Sequence, residues 1–232
     1  MIGFDDVLLQ MLDKITRGEP DLQILPIVGM GGIGKTTLAQ NIYVSPLVRK
    51  HFDVCAWSTI SQVYNAEEIL RQVIEQVQVL DLVDSDVNRV NARRHISEDD
   101  LELQLHQYLI GRRYFIVMDD MWNIKARDQV RRFFQDNRDG SRILVTTRLS
   151  NLAYLFNYSI GLDMKILDDY ASWNLFSKIV FGDESCPHEL ENIGKKIVKG
   201  CRGLPLSVNV IGGLLSMSEK TEENWGYIEK KI

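Results

Sequence analysis

The sequence predicts an α/β fold: a parallel sheet flanked by helices, followed by a small helical bundle. Three observations predict it. Apolar runs alternate with amphipathic stretches from residue 22 to residue 167, as in successive strand–helix crossovers. The stretch Gly29-Met30-Gly31-Gly32-Ile33-Gly34-Lys35-Thr36-Thr37 lies between the first apolar run and the first helix after it, and it fits G-x-x-x-x-G-K-[ST]. Beyond Leu167 the strand pattern stops and only helical periods follow.

Taken in order, Met1 to Asp6 is a short apolar-glycine lead. Val7 to Ile15 carries apolar residues at positions 8, 9, 12 and 15, a helical spacing closed by Gly18-Glu19-Pro20. Leu22 to Val28 reads as the first strand. A helix is expected from Thr36 to about Val44, because Ser45-Pro46 requires an extended residue before the proline. Phe52 to Ser58 is nearly all apolar, as for a strand buried on both faces of a parallel sheet. Asn65 is placed to cap a helix whose positions 69, 70, 73, 74 and 77 form one apolar stripe. Asp81 to His95 is polar and aperiodic and reads as a flexible exposed loop. Ser97 to Asp100 resembles a capping box for a helix through Leu109, closed by Gly111. Tyr114 to Asp120, Gly140 to Arg148 and Ile160 to Leu167 read as the third, fourth and fifth strands, with a short helix over Leu149 to Phe156. Asp168 to Phe181 and His188 to Lys199 read as helices. A third opens at Pro205, where a missing N–H costs little, and Glu222 to Ile232 starts a fourth. The expected division is a phosphate-loop domain over residues 1–167 and a helical subdomain over 168–232. Trp173 and its aromatic neighbours read as core of the latter.

The glycine-rich stretch carries the most specific chemistry. Its glycines let the backbone curl so that successive N–H groups point into one cavity, a nest for anions. The helix N-terminus adds free donors and partial positive charge. Gly29, Gly31, Gly32, Ile33 and Gly34 are therefore candidate phosphate-cradling residues. Lys35 can reach β- and γ-phosphates, and the Thr36 hydroxyl can ligate a Mg²⁺ that bridges them. Thr37 is placed for the α- or β-phosphate.

The third strand ends in Asp119-Asp120. Acidic side chains at the end of a buried strand are costly without a task or a partner. In an open α/β sheet the carboxyl edge is where ligands sit. Asp119 reads as holding Mg²⁺ through water. Asp120 could orient an attacking water or act as a base; alternatively, the pair could cap the following helix. Arg148, just past the fourth strand, lies at the same edge, where arginine can sense a γ-phosphate with a bidentate contact. The other reading is a surface arginine at a strand end.

Composition narrows the class. With 232 residues, 45% hydrophobic and 25% charged, the chain can bury a sizeable core and is ordinary for a soluble globular protein. A net charge of −5 argues against general nucleic-acid binding. Arg112-Arg113 and Arg131-Arg132 read as solvated helix and loop ends. Cys55, Cys186 and Cys201 form no C-x-x-C pattern, which gives neither a disulfide framework nor a zinc site and points to a reducing compartment. The apolar stretch Leu204 to Met217 is too short to span a bilayer and carries Ser207 and Asn209. No signal peptide is visible. The chain is expected to be soluble, cytoplasmic and a piece of a longer protein.

Together, Gly29 to Thr37, Phe52 to Ser61, Phe115 to Trp122, Gly140 to Arg148, Tyr170 to Phe176 and Gly203 to Leu206 resemble the NB-ARC module of plant nucleotide-binding leucine-rich-repeat immune receptors. Order and spacing match over nearly the whole chain. Phe52-Asp53-x-x-Ala56-Trp57 and Asp119-Asp120-x-Trp122 look like the coiled-coil class of these disease-resistance proteins. The resemblance implies a defence switch that holds ADP at rest, exchanges it for ATP on activation and oligomerises, with slow Mg²⁺-dependent hydrolysis. It implies that Gly31 to Thr37 wrap the phosphates, that Arg148 senses the γ-phosphate, and that Pro205, with Leu206 beside it, packs on the adenine. Ile2 and Gly3 would flank the adenine through their backbone. Its partners would be nucleotide, the receptor's own signalling and leucine-rich-repeat domains, and other receptor copies. A winged-helix subdomain with a Met-His-Asp motif would follow residue 232. Two rivals remain open. An ordinary phosphate-loop kinase or GTPase lacks support, since there is no Asn-Lys-x-Asp signature. An oligomerisation scaffold with structurally bound ADP is the stronger alternative, because Asp120 stands where many ATPases carry a glutamate base.

Overall fold

The computed structural model describes residues 2–60, 65–81, 97–122, 125–156 and 160–231. The aperiodic stretch expected as a loop over Asp81 to His95 lies, apart from Asp81, outside the described residues. Strands β1 (Gln23–Val28), β2 (Val54–Thr59), β3 (Tyr114–Met121), β4 (Arg142–Thr147) and β5 (Leu162–Asp163) form one sheet in the order β2-β3-β4-β1-β5. Every pairing is parallel. The insertion of β4 between β1 and β3 sets the carboxyl ends of all three side by side. The edge at which ligands bind in such sheets is thereby lined by Gly29, Asp119-Asp120 and Thr146-Thr147-Arg148.

Compact packing divides the chain into two units. One comprises Leu8–Gly29 and Lys35–Asp163, and the other Met1–Val7, Met30–Gly34 and Met164–Ile232. In the first, Ile24, Val54, Ala56, Ile116, Met118, Ile143 and Val145 share a core with apolar residues of α4 (Ala66–Asp81), α5 (Glu98–Leu109), α6 (Lys125–Phe133) and α7 (Ser150–Leu155). These sheet positions alternate along each strand, so they line one face. The other face carries Leu25, Ile27, Phe115, Val117 and Leu144, all fully buried, and α2 (Lys35–Tyr43) packs against β3 and β4.

The helix signals behave as their chemistry requires. Asn65 Oδ1 accepts from the Glu68 N–H at 3.3 Å, and positions 69, 70, 73, 74 and 77 of α4 are all buried. Ser97 and Asp100 form the reciprocal capping box of α5. Gln76 of α4 pairs with the backbone of Trp57 on the edge strand β2: its oxygen accepts from the N–H at 2.8 Å and its amide donates to the C=O at 2.6 Å. That closes an edge that would otherwise offer free ladder groups.

Several expectations are corrected. The fifth strand, expected over Ile160 to Leu167, shrinks to Leu162–Asp163, because only these two residues reach the ladder of β1, at Ile27 and Val28. The first helix, α1, runs Asp5–Thr16 and buries Met11, Leu12 and Ile15 while Leu9 is 63% exposed. Positions 8, 11, 12 and 15 form the one-face set, and position 9 falls off it. A short helix, α3 (Pro46–His51), follows the extended Ser45, with Pro46 in its first turn; it is not expected from the sequence. Arg113 is not a solvated loop end: its Nε donates to Asp139 O at 2.5 Å and its backbone N–H to the Asp53 carboxylate at 2.8 Å. Arg132 is exposed and ion-paired with Glu98, Asp99 and Glu102.

In the other unit, helices α8 (Asp169–Phe181), α9 (His188–Gly200), α10 (Pro205–Ser216) and α11 (Glu222–Glu229) enclose Phe176, Val180, Leu190, Ile197, Val208, Leu215 and Trp225. Asp168 caps α8 by accepting from the Ala171 N–H at 2.7 Å, and Pro205 occupies the first turn of α10. Trp225 is fully buried, edge-on to Phe176 at 5.8 Å, and Trp173 packs against the same core. The turn into α10 needs glycine. Gly203 has φ +70, and a Cβ there would lie 2.3 Å from the Leu167 carbonyl oxygen. Leu167 N–H donates to Gly203 O at 2.8 Å.

Candidate functional site

The site in the sheet unit starts from Lys35 and Thr36, the first residues of α2. Lys35 is 6% exposed, and its Nζ donates to Gly29 O at 2.9 Å. Burial lowers its ammonium pKa from the ordinary lysine value; Arg148 pushes the same way, and Asp120 and Asp119 oppose. An ammonium held at this edge of the sheet is placed to meet an anion.

Thr36 Oγ1 donates to both carboxylate oxygens of Asp119, at 2.9 and 3.0 Å. Asp119 itself is 6% exposed. Thr146 Oγ1, fully buried on β4, donates to Asp119 Oδ1 at 2.5 Å and accepts from the Asp120 N–H at 2.8 Å. Its neighbour Thr147 donates to Met121 O at 2.7 Å. Asp120 adopts φ 56, the left-handed region that side chains other than glycine rarely enter. Its Oδ1 lies 3.7 Å from Arg148 Nε, and the Arg148 guanidinium also sits over the Trp122 ring, 4.5 Å from the centroid.

The donor set suits a hard divalent cation. A hydroxyl and a carboxylate meet within 3.0 Å at the sheet edge, and both are oxygen ligands. Among the described residues no group of three or more His, Cys, Asp or Glu could hold a metal alone. A cation here would be completed by phosphates and water, the usual arrangement for Mg²⁺.

In the helical unit, Gly32 has φ +77, and a Cβ there would lie 2.8 Å from Leu206 Cβ. Leu206 N–H donates to Gly32 O at 3.1 Å, so the first turn of α10 is tied to the crown of the glycine loop. Gly34 has φ +101, and a Cβ there would meet Met164 and Phe4 at ordinary contact distance. Gly3 lies against Leu167 and Ala171, Pro205 is buried and Leu206 is 54% exposed.

Of the residues singled out from the sequence, Gly29, Lys35, Thr36, Asp119, Asp120 and Arg148 belong to the sheet unit. Ile2, Gly3, Gly31, Gly32, Ile33, Gly34, Pro205 and Leu206 belong to the helical unit. Thr37 is exposed on α2. Thr146, which touches both acidic residues, is not among those singled out. Two hydroxyl residues closing the aliphatic run Ile143-Leu144-Val145, at the carboxyl end of its strand, are the signal that could have found it.

Fold and site define a phosphate-loop α/β protein with a helical appendage. A family profile described as NB-ARC domain matches residues 4–186, and the chain belongs to that family. It is 36% identical over 233 residues to a putative late blight resistance protein homolog of Solanum demissum, an alignment covering 100% of this chain and 17% of that protein. A late blight resistance protein of the same species is 35% identical over the same span. The chain thus spans 17% of the length of these curated relatives. Among solved structures, Cdc6p from Pyrobaculum aerophilum aligns with TM-score 0.67 at 13% identity, over 91% of this chain and 61% of that one. A signal transduction ATPase with numerous domains from Pyrococcus horikoshii, which carries a tetratricopeptide repeat sensor, aligns with TM-score 0.55 at 17% identity, over 96% and 32%. At such identities these likenesses show the fold. No helix among the described residues is long and apolar enough to cross a membrane.

Proposed function

We propose that this chain is the nucleotide-binding module of a plant innate immune receptor, a switch that is ADP-bound at rest and ATP-bound when active. The observation that carries the reading is the meeting of Lys35, Thr36 and Asp119 at the carboxyl edge of the sheet, with Thr36 Oγ1 at 2.9 and 3.0 Å from the two Asp119 oxygens. Membership of the NB-ARC family and likeness to late blight resistance proteins support it.

In this reading the glycine loop from Gly29 to Gly34, with Thr37, wraps the phosphates. Lys35 supplies the positive charge that meets them. Thr36 and Asp119 hold Mg²⁺, which supplies charge neutralisation across the phosphates. Arg148 reads the γ-phosphate, and Asp120 serves the water in a slow hydrolysis. Ile2, Gly3, Pro205 and Leu206 keep the adenine-side role that the family resemblance gives them. Residues 1–167 form the phosphate-loop domain and 168–232 the helical subdomain, and the whole receptor works in the cytoplasm with its signalling and repeat domains and with other copies of itself.

Asp120 is engaged by Arg148 at 3.7 Å, and that favours a second reading: a scaffold with structurally bound ADP and no significant hydrolysis. The deciding experiment is denaturing release of bound nucleotide, followed by single-turnover ATP hydrolysis. ADP released from wild type, and γ-phosphate loss that disappears in Asp119→Ala, support the switch. Bound ADP without hydrolysis above background supports the scaffold. A protein that neither carries nor takes up nucleotide sinks both.

A further inference from the structure

Two consecutive residues of a strand point to opposite faces, so Asp119 and Asp120 cannot both serve one site while β3 stays regular. The ladder with β4 shows how the conflict is resolved. Met118 pairs with Val145 and Met121 with Thr147, so Asp119 and Asp120 together oppose the single residue Thr146. Two residues against one is a β-bulge, a device that re-aims a side chain and leaves a ladder group without its partner. Here Asp120 enters the left-handed region at φ 56, and its N–H finds the Thr146 hydroxyl at 2.8 Å in place of a backbone carbonyl. The same hydroxyl spends its one proton on Asp119 Oδ1 at 2.5 Å. Thr146 is fully buried, so bulk water does not compete for these bonds.

We propose that Thr146 is a positioning residue for the nucleotide-bound cation: one hydroxyl locks the Asp119 carboxylate by donation and the bulge at Asp120 by acceptance. The inference rests on the reading of Lys35, Thr36 and Asp119 as a Mg²⁺-nucleotide site. A hydroxyl can do both because it is one donor and two acceptor lone pairs. The bond to Asp119 Oδ1 fixes the plane of the carboxylate, whose two oxygens both lie within 3.0 Å of Thr36 Oγ1. The bond from Asp120 fixes the bulge and so the direction of its carboxylate toward Arg148. Valine keeps the shape of threonine and removes both bonds; serine keeps both bonds and removes a methyl.

The test is calorimetric titration of ATP into wild type, Thr146→Val and Thr146→Ser, each in excess Mg²⁺ and again in EDTA, with thermal unfolding of each protein recorded without nucleotide. Partners that orient a metal-holding carboxylate typically contribute about 10- to 100-fold to metal affinity. Thr146→Val should therefore lose about tenfold or more in affinity with Mg²⁺ and little in EDTA. Thr146→Ser should stay within about threefold of wild type in both, the conservative change being nearly free when both bonds survive. Should Thr146→Val fail to fold, Thr146→Ala, which also lacks the hydroxyl and places no methyl against Asp119, takes its place with the same expectation. Equal loss with and without Mg²⁺, no loss at all, or a serine variant as impaired as valine overturns the positioning role. Wild type that binds ATP in neither condition overturns the functional reading, and this inference with it. Wild type that binds while Thr146→Val behaves identically overturns the inference alone.

Discussion

Arg148 lies over the face of Trp122, its guanidinium carbon 4.5 Å from the ring centroid, while its Nε faces Asp120 at 3.7 Å. The side chain is 45% exposed, so these contacts aim it without burying it. A cation held on an aromatic face and beside a carboxylate keeps its other N–H donors available, because guanidinium has five. If those donors read the γ-phosphate, Arg148→Ala should weaken ATP binding by about tenfold, the loss expected for a charge-assisted hydrogen bond, and leave ADP nearly unchanged. Parallel titrations with the two nucleotides decide it. Equal weakening would make Arg148 a structural partner of Asp120 and Trp122.

Lys35 is a buried ammonium in the sheet unit's site, and burial lowers its pKa. Removing it has two consequences. Lys35→Met should abolish ATP and ADP binding, since the charge on the phosphates is gone. It should also lower the stability of the nucleotide-free protein, because the Gly29 carbonyl loses its donor and the Asp119 and Asp120 carboxylates lose a neighbouring cation. Nucleotide analysis after denaturing extraction reads the first, and the midpoint of thermal unfolding without nucleotide reads the second. A variant that retained nucleotide would count against the phosphate-loop assignment.

The contrast between legible and illegible parts follows from the range of the interactions involved. Helix caps are local, and Asn65 and Ser97 announce α4 and α5 within a few residues of sequence. The phosphate loop is local too. Strand order is not: nothing in Gly140 to Arg148 says that β4 inserts between β1 and β3, yet that insertion brings Thr146 to Asp119. The bulge at Asp120 is equally remote from sequence, since it exists only in the register of β3 against β4. The fifth strand is shorter than its composition suggests, because Ile160 to Leu167 looks strand-like throughout while β1 offers pairing only at its last two residues.

His51, at the end of α3, should make stability pH-dependent. Its Nε2 lies 3.3 Å from Arg113 Nη1, and arginine can only donate, so the ring must be neutral at that nitrogen. Burial, then the charges of Arg113 and Arg142, lower its pKa from 6.5. A base with a depressed native value binds its proton first in the unfolded chain, so stability falls as pH drops through the ordinary histidine range. Thermal midpoints measured from about pH 7 down to about pH 5 should fall more steeply for wild type than for His51→Gln, which can accept from Arg113 without titrating. Coincident slopes would show that the ring does not report on Arg113.

Two glycines of the helical unit should answer the same substitution in opposite ways. Gly203 holds φ +70, and an added Cβ would lie 2.3 Å from the Leu167 carbonyl, a backbone atom that cannot swing aside. Gly203→Ala should cost about 1–3 kcal/mol from the left-handed backbone, with the contact added to it. The turn also carries the Leu167 N–H to Gly203 O bond of 2.8 Å, so any shift that relieves the contact strains that bond. Gly213 lies inside α10, and a methyl group added there would meet nothing within 4 Å. Gly213→Ala should stabilise by about 0.5–1 kcal/mol, because alanine loses less backbone freedom on entering a helix. Unfolding of both variants beside wild type should therefore bracket it, Gly203→Ala several degrees below and Gly213→Ala slightly above. A Gly203→Ala variant as stable as wild type would mean that the turn before α10 can relax away from Leu167, and that glycine is not what holds Pro205 in place.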